Sequence, residues 1–129
     1  MNNMLTKSEL EIMELMWKED KPLTSTEIIE LSTDRSWKKS YVHLLINSLL
    51  EKEMIEVAGF VKTTKNYART FKVRVSKEEY SINQFTTMQS FDENDIPKIV
   101  SALIEKIDNV DVLNKLSKIV RDRKVELAK

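Results

Sequence analysis

Residues 24–74 read TSTEIIELSTDRSWKKSYVHLLINSLLEKEMIEVAGFVKTTKNYARTFKVR. The first part of this stretch holds two short amphipathic helical patterns, and the last part changes to the period of two that is typical of strands. The second helical pattern places apolar residues at i, i+3, i+4 and i+7: Val42, Leu45, Ile46 and Leu49. The predicted order is therefore helix, turn, helix and β-hairpin.

The opposite face of the second helix lacks the Glu/Lys mixture of an ordinary solvated helix. It carries short polar or small apolar side chains instead: Ser40, His43, Leu44, Asn47 and Ser48. Side chains of this kind can approach the edges of bases in a DNA groove. Followed at once by a hairpin, this helix predicts a winged helix-turn-helix module that reads DNA.

Charge is unevenly distributed along a chain whose net charge is zero. Residues 35–77 hold ten Lys/Arg against three Asp/Glu, whereas residues 1–34 and 78–129 are each net negative. Between Val57 and Lys77 there are six basic residues and no acidic one. This distribution favours a cationic surface for phosphate contacts. An alternative for the hairpin alone is that its Lys residues protect an edge strand from aggregation.

The hairpin pattern predicts a polar turn at residues 63–66 and a second strand in which Phe71 and Val73 face the core. Because side chains alternate along a strand, Lys72 and Arg74 would then face solvent or DNA. We expect Arg69 and the tip residues Lys62 and Lys65 to extend the same positive edge.

Three Ser/Thr-x-x-Glu capping boxes predict where helices begin. They are Thr6 with Glu9, Thr24 with Glu27, and Ser76 with Glu79. The first helix is expected to end near Lys18. Trp37 precedes the second helical pattern, and we interpret it as a hydrophobic staple in the core rather than as a base-stacking residue.

The last third of the chain is strongly amphipathic. Asp95 is predicted to cap a helix with Pro97 in its first turn, and Asp111 to cap a final helix. The residues predicted to mediate dimerisation are Tyr80, Phe85, Met88, Ile96, Ile99, Val100, Leu103, Ile104, Ile107, Leu113, Leu116 and Val120. We expect a DNA-binding domain over residues 1–75 and a helical homodimerisation domain over residues 76–129. The alternative is a second bundle packed on the first domain.

Composition argues against several classes of protein. The chain has no Cys and one His, so thiol catalysis and Cys-based metal or disulfide sites are excluded, and His43 has no second ligand at metal spacing. No Gly-rich phosphate loop is present. No apolar run approaches the roughly 20 residues that span a bilayer. We therefore expect a cytoplasmic, non-enzymatic protein without cofactor, metal or membrane insertion.

The chain resembles the penicillinase repressor (BlaI/MecI) family of winged-helix regulators. The resemblance covers most of the chain and is carried by LTKSELEIMELMWKEDKPLTSTEII, SWKKSYVHLLINSLLEKEMIE and RTFKVRVSKEEY. Specific points are Glu9, Met13 and Trp17 in the first helix, and Trp37 before the recognition helix. Further points are Leu45, Leu49, Lys52, Ile55 and the junction at residues 75–80.

The resemblance implies a cytoplasmic repressor that binds a dyad operator in double-stranded DNA as a homodimer. Members of the family silence β-lactamase or related antibiotic-resistance genes, and a membrane sensor protease relieves repression through cleavage of the repressor. A copper-responsive branch carries a C-terminal Cys cluster, which this chain lacks. The predicted DNA-binding residues are Lys38, Lys39, Ser40, Tyr41, His43, Leu44, Asn47, Ser48, Lys62, Lys65, Arg69, Lys72 and Arg74.

The chain departs from the family pattern at several positions. Lys38, Tyr41 and Ser48 replace a Ser/Thr, a Thr and an Arg of the recognition helix, and Glu53 replaces the Gly before the hairpin. The Asn-Phe scission pair is interrupted, because Gln84 separates Asn83 from Phe85. Two other functions stay open: a repressor that responds to a small ligand held between the domains, and a protein-interaction adaptor that does not bind DNA.

Overall fold

The computed structural model describes residues 4–129 and is mainly α-helical with a small antiparallel sheet, so the predicted fold class is confirmed. Its elements are α1 (Lys7–Glu19), β1 (Leu23–Thr24), α2 (Ser25–Leu31), α3 (Val42–Glu51), β2 (Ile55–Lys62), β3 (Tyr67–Val73), α4 (Lys77–Thr86), α5 (Ile96–Ile104) and α6 (Val110–Ala128). Short 3-10 turns at Lys39–Tyr41 and Glu93–Asp95 lead directly into α3 and α5. Helices α2 and α3 form the helix-turn-helix, and β2 and β3 form the wing.

Local capping determines where the first two helices begin. Thr6 and Glu9 exchange hydrogen bonds at the start of α1, and Thr24 and Glu27 do the same at the start of α2, so both predicted capping boxes are confirmed. Ser76 accepts a bond from the backbone N–H of Glu79 at the start of α4. Each bond satisfies a backbone donor that the helix itself leaves free.

The sheet contains a third strand that the sequence analysis did not predict. β1 pairs with β3, placing Leu23 opposite Phe71 and Thr24 opposite Thr70, and the strand order is β1-β3-β2. Two residues are too few to show a period of two, so this strand has no signal of its own in the sequence. Its effect is to attach the segment before α2 to the base of the wing.

A hydrophobic core lies between α1, α2, α3 and the base of the sheet. It consists of Ile12, Met13, Met16, Leu23, Ile28, Trp37, Val42, Ile46, Leu49, Met54, Ile55 and Phe71. Trp37 is buried in this core, as predicted for a staple. Its ring lies against the Arg35 guanidinium, 5.5 Å from the ring centroid.

The predicted start of α5 is confirmed, because Asp95 immediately precedes the helix and Pro97 lies in its first turn, but the Asp95 side chain makes no capping bond to α5. Asp92 caps the 3-10 turn that leads into α5, and the Asp95 carboxylate accepts a hydrogen bond from the backbone N–H of Asp92. Asn109, not Asp111, caps α6 by accepting from the backbone N–H of Asp111. In both cases an earlier polar residue has the extended backbone that an N-cap requires. Helix α5 ends at Ile104, so Ile107 lies beyond it.

The chain divides into two compact units, residues 1–87 and residues 88–129. The division falls twelve residues after the predicted boundary because α4 belongs with the first unit. The Trp17 indole N–H donates to the Val75 carbonyl at 2.9 Å, and its ring lies 5.9 Å from that of Tyr80. The boundary between functional domains stays a prediction. Within residues 4–129, no helix is both long and apolar enough to cross a membrane.

Candidate nucleic-acid interface

The turn that leads into α3 is held by α1. The Glu11 carboxylate accepts hydrogen bonds from the backbone N–H of Ser36, at 2.9 Å, and from its hydroxyl group. The hydrogen bond from the Ser36 side chain lowers the pKa of Glu11. With Trp37 buried next to this turn, the start of the recognition helix is fixed on two sides.

The exposed face of α3 is the one that the sequence predicted. Val42, Ile46 and Leu49 are buried, and the residues on and just before the opposite face are exposed. The exposed residues are Lys38, Lys39, Ser40, Tyr41, His43, Leu44 and Asn47. Leu44 is 67% exposed although it is a large hydrophobic residue in the middle of the helix. An exposed helix face without Lys, Arg or Glu through its first two turns suits close approach to base edges.

A buried carboxylate supports α3 from behind. Glu9 in α1 accepts a hydrogen bond from the Ser48 hydroxyl group, one from the Lys52 ammonium at 2.7 Å and one from the backbone N–H of Thr6 at 2.8 Å. Burial raises the pKa of Glu9, but the hydrogen bonds from Lys52, Ser48 and Thr6 outweigh it and lower the pKa to about 2. The carboxylate is therefore charged at neutral pH, and it ties the end of α3 to α1.

This arrangement assigns Ser48 a different place from the predicted one. Ser48 is half-buried and its hydroxyl group donates to Glu9, so it points to α1 rather than to the exposed face. The contact joins residues 39 positions apart, and a helical period alone cannot reveal it. Ser48 is therefore not part of the exposed surface of α3.

The predicted cations of the wing lie on two faces of the hairpin rather than on one edge. The Arg69 guanidinium stacks on the Phe71 ring at 5.2 Å, so Arg69 shares the face that Phe71 turns to the core. Lys72 and Arg74 have the opposite parity, and each lies near a glutamate: Lys72 is 3.6 Å from Glu56, and Arg74 is 3.8 Å from Glu53. Lys62 and Lys65 are exposed at and near the tip.

Two exposed aromatic residues of the wing were not among the predicted site residues. Phe60 is 67% exposed and Tyr67 is 66% exposed. Phe60 lies opposite Arg69, and Tyr67 lies opposite Lys62. A shift in register between Val57 and Gly59 brings these pairs together, and simple alternation along β2 does not reveal that shift.

The residues predicted for dimerisation differ in their surroundings. Tyr80 packs on Trp17 within the first unit, and Phe85 is exposed at the end of α4. Met88, Ile96, Val100, Leu103, Ile104 and Val120 are exposed, and Ile99, Ile107, Leu113 and Leu116 are half-buried. No residue of the unit 88–129 is fully buried. An open groove on this unit is lined by Val100, Ile104, Leu113, Leu116, Ser117, Val120, Arg121 and Lys124.

Comparison with known proteins places this arrangement in a family. The family model described as penicillinase repressor matches residues 5–122. Among solved structures, the chain is similar to the adhesin competence repressor AdcR from Streptococcus pyogenes, with 19% identity over 97% of this chain and 82% of that chain and a TM-score of 0.38. It is also similar to Bacillus subtilis PadR, solved in complex with operator DNA, with 16% identity over 96% of this chain and 72% of that chain and a TM-score of 0.45.

A comparison with curated protein sequences gives no match. The family match nevertheless covers the whole helix-turn-helix, the wing and most of the helices that follow. The chain therefore belongs to the penicillinase repressor family and is a DNA-binding transcriptional repressor rather than an enzyme.

Proposed function

We propose that this repressor binds a two-fold symmetric operator as a homodimer, with one α3 helix in each of two successive major grooves. The observation that carries the proposal is the exposed, uncharged face of α3 flanked by Lys38 and Lys39. Cations at the start of such a helix neutralise phosphates and set its register, while the helix face reads base edges.

The roles of the α3 side chains follow from their chemistry. Asn47 can accept from and donate to an adenine edge, and Leu44 can contact a thymine methyl group. Ser40 and Tyr41 can bond a base or a phosphate, and His43 a phosphate. Two α3 helices related by a two-fold axis would contact half-sites about 34 Å apart.

The proposal of a homodimer is supported by the exposed apolar side chains of residues 88–129. This unit exposes Leu103 and Val120, and it buries no residue of its own. Helices that leave most of their apolar face exposed gain little from the hydrophobic effect, and short helices are marginally stable in water. A second copy would cover the groove between α5 and α6.

The biological setting is also part of the proposal. By family membership, the protein acts in the cytoplasm and its target genes are β-lactamase or related resistance genes. A membrane sensor protease relieves repression by proteolysis. Asn83 and Phe85 lie in helix α4 with Gln84 between them, so no particular bond is assigned to the cleavage.

The test begins with selection of bound duplexes from a random-sequence pool, followed by measurement of affinity at several salt concentrations. We expect a palindromic consensus and an affinity that falls steeply as salt rises. Asn47→Ala should flatten discrimination between the selected duplex and its point variants by about 1–3 kcal/mol at one base pair per half-site. Asn114→Ala, which alters an exposed asparagine of α6, is the matched control.

Failure to enrich any duplex at low salt would overturn the proposal in favour of a protein-interaction adaptor. An Asn47→Ala variant with full operator preference would remove Asn47 from the reading surface. A selected site without two-fold symmetry would contradict the dimer.

A further inference from the structure

Two carboxylates of α1 hold the recognition helix α3 at its opposite ends. Glu11 accepts hydrogen bonds from the backbone N–H of Ser36, at 2.9 Å, and from its hydroxyl group, in the turn before α3. Glu9 accepts hydrogen bonds from the Ser48 hydroxyl group, in the last turn of α3, and from the Lys52 ammonium, at 2.7 Å. The segment that carries the reading face is therefore attached at both ends to one neighbouring helix.

The two carboxylates leave α1 in different directions. At 3.6 residues per turn, positions two residues apart in a helix differ in direction by about 200°. Glu9 lies on the buried face of α1 together with Ile12 and Met13, and Glu11 leaves the helix on the other side. The two contacts therefore restrain α3 in two different directions.

Apolar packing alone does not define the angle of α3 so closely. The hydrophobic effect is non-directional, so the core can tolerate small rotations of one helix on another. Helix α3 has ten residues and is about 15 Å long, so a tilt of about 5° around one end moves the other end by about 1.3 Å. A displacement of this size breaks a hydrogen bond. Base reading needs side chains placed to within about 0.5 Å, which two hydrogen-bonded ends can provide.

We propose that Glu9 and Glu11 are positioning residues for DNA reading, which set the angle at which α3 enters the major groove without touching the DNA themselves. This inference rests on the proposed function and adds two residues of α1 to those that determine sequence specificity. Ser48 and Ser36 are the partners through which they act.

The charge of these carboxylates makes the inference testable. Hydrogen bonds hold the pKa of Glu9 at about 2 and lower that of Glu11, so both side chains are negative at neutral pH. A negative charge in a DNA-binding protein opposes the approach of phosphates, so on charge alone its removal should tighten binding to every duplex. Positioning has the opposite consequence, because loss of the contact should weaken binding to the operator only.

The first experiment changes Glu11 in two ways. Glu11→Gln removes the charge but keeps an amide that can accept from the Ser36 N–H and donate to its hydroxyl oxygen, whereas Glu11→Ala removes both bonds. Glu14→Ala removes an exposed charge from the same helix and is the matched control. Affinity is measured for a duplex that the unmodified protein recovers from a random-sequence pool, and for a duplex with the same composition in shuffled order.

The ratio of these two affinities measures specificity. We expect the ratio to fall about tenfold in Glu11→Ala and to stay within about twofold in Glu11→Gln and Glu14→Ala. Partial unfolding would lower both affinities by the same factor, so a role in stability alone leaves the ratio unchanged. Denaturant unfolding of each variant gives the folded fraction independently.

The second experiment changes the other end of α3. Ser48→Ala removes the bond to Glu9 but leaves the ion pair between Glu9 and Lys52 in place, and Ala is the best helix former. A tilted helix displaces all of its contacts, so we expect a loss of discrimination of about fivefold that is spread over the base pairs of each half-site. Ser101→Ala, at an exposed position of α5, is the control and should change nothing.

The outcomes separate this inference from the proposed function. If the unmodified protein recovers a duplex but Glu11→Ala and Ser48→Ala keep its affinity ratio, the inference is wrong and the repressor function stands. Equal losses in Glu11→Gln and Glu11→Ala would assign the effect to charge and would also overturn it. A loss in Ser48→Ala that is confined to one base pair would make Ser48 a direct contact and would overturn the role of Glu9. Failure to recover any duplex would overturn the proposed function and this inference with it.

Discussion

The two units of this repressor differ in how they bury apolar surface. Among residues 4–129, every buried hydrophobic residue lies between Ile12 and Phe71, within the first unit. The second unit, residues 88–129, has two amphipathic helices and no fully buried residue. A unit with a closed core can fold by itself, whereas a unit with an open apolar face depends on whatever covers that face.

The two units therefore obtain their stability from different sources. In the first unit, capping boxes, a third strand and the Glu9 network all act within one chain. In the second unit the local signals are equally good, because Asn109 and Asp92 cap its helical segments. What it lacks is burial, which provides most of the stability of helices in proteins. We propose that a second copy of the chain provides the missing burial.

Separating the two units tests this difference in stability most directly. A fragment of residues 1–87 is expected to unfold cooperatively and to stay monomeric, whereas a fragment of residues 88–129 should be helical only at concentrations where it self-associates. Circular dichroism over a range of protein concentrations, combined with sedimentation, measures both properties. A fragment 88–129 that is fully helical as a monomer would contradict the proposed role of the dimer.

A single charge in the open apolar face should have the next largest effect. Leu103→Asp places a carboxylate on the exposed apolar surface of α5, and burying it in an interface without a partner costs several kcal/mol. We expect the dimer dissociation constant to rise by at least a factor of about 100. Ser101→Asp adds the same charge on the same helix, outside the apolar stripe, and should change the constant by less than about tenfold. Equal sedimentation behaviour of the two variants would refute the proposed interface.

Features with a local cause could be predicted from the sequence. The capping boxes at Thr6 and Thr24 need only residues three positions apart, and the exposed face of α3 follows from its own period. The side-chain capping bond before α5 was expected at Asp95 but is made by Asp92, because several acidic residues precede Ile96 and the pattern does not choose among them. Local rules locate a helix better than they locate its first residue.

Features with a distant cause could not be predicted. Strand β1 exists because Leu23 meets Phe71, and Ser48 leaves the DNA-facing surface because it meets Glu9. The pairing of Phe60 with Arg69 and of Lys62 with Tyr67 in the wing depends on a register shift near Gly59 that no alternation pattern contains. The position of Arg69 is an exception. Arg69 and Phe71 are two residues apart in β3 and share a face, so alternation alone could have predicted that Arg69 and Lys72 lie on opposite faces.

The residues of the Glu9 network all lie in the first unit, so the network stabilises that unit. Glu9→Gln is expected to lower the free energy of unfolding by up to about 3 kcal/mol at neutral pH, since the lowered pKa corresponds to roughly that amount. The folded pKa lies below the usual value of 4.5, so this stability is present above about pH 4.5 and is lost as the pH falls towards 2. Denaturant unfolding at several pH values measures it.

The matched control is Glu14→Gln, which changes an exposed carboxylate on the same helix and should alter stability by less than about 0.5 kcal/mol. The difference in stability between Glu9→Gln and the unmodified protein should shrink as the pH falls from 4.5 to 2. A difference that stays constant over this range would show that Glu9 does not stabilise the fold through its charge.

The smallest expected effect concerns Glu53, which joins the recognition helix to the wing. Its backbone is left-handed, with φ of 58°, and its N–H donates to the Leu50 carbonyl while that of Met54 donates to the Leu49 carbonyl. This is the Schellman ending, in which Gly is the favoured residue because it has no Cβ. A left-handed backbone costs a non-glycine residue about 1–2 kcal/mol, and the flexibility of Gly in the unfolded chain costs about 0.5–1 kcal/mol.

We therefore expect Glu53→Gly to stabilise the first unit by about 0.5–1 kcal/mol in denaturant unfolding. The exposed ion pair between Glu53 and Arg74, at 3.8 Å, contributes little to the free energy of unfolding, so its loss in Glu53→Gly costs little stability. Glu53→Ala removes the same ion pair but keeps the Cβ, so it should leave stability near that of the unmodified protein. If Ala stabilises as much as Gly, the strain at this position is electrostatic rather than conformational, and the backbone argument fails.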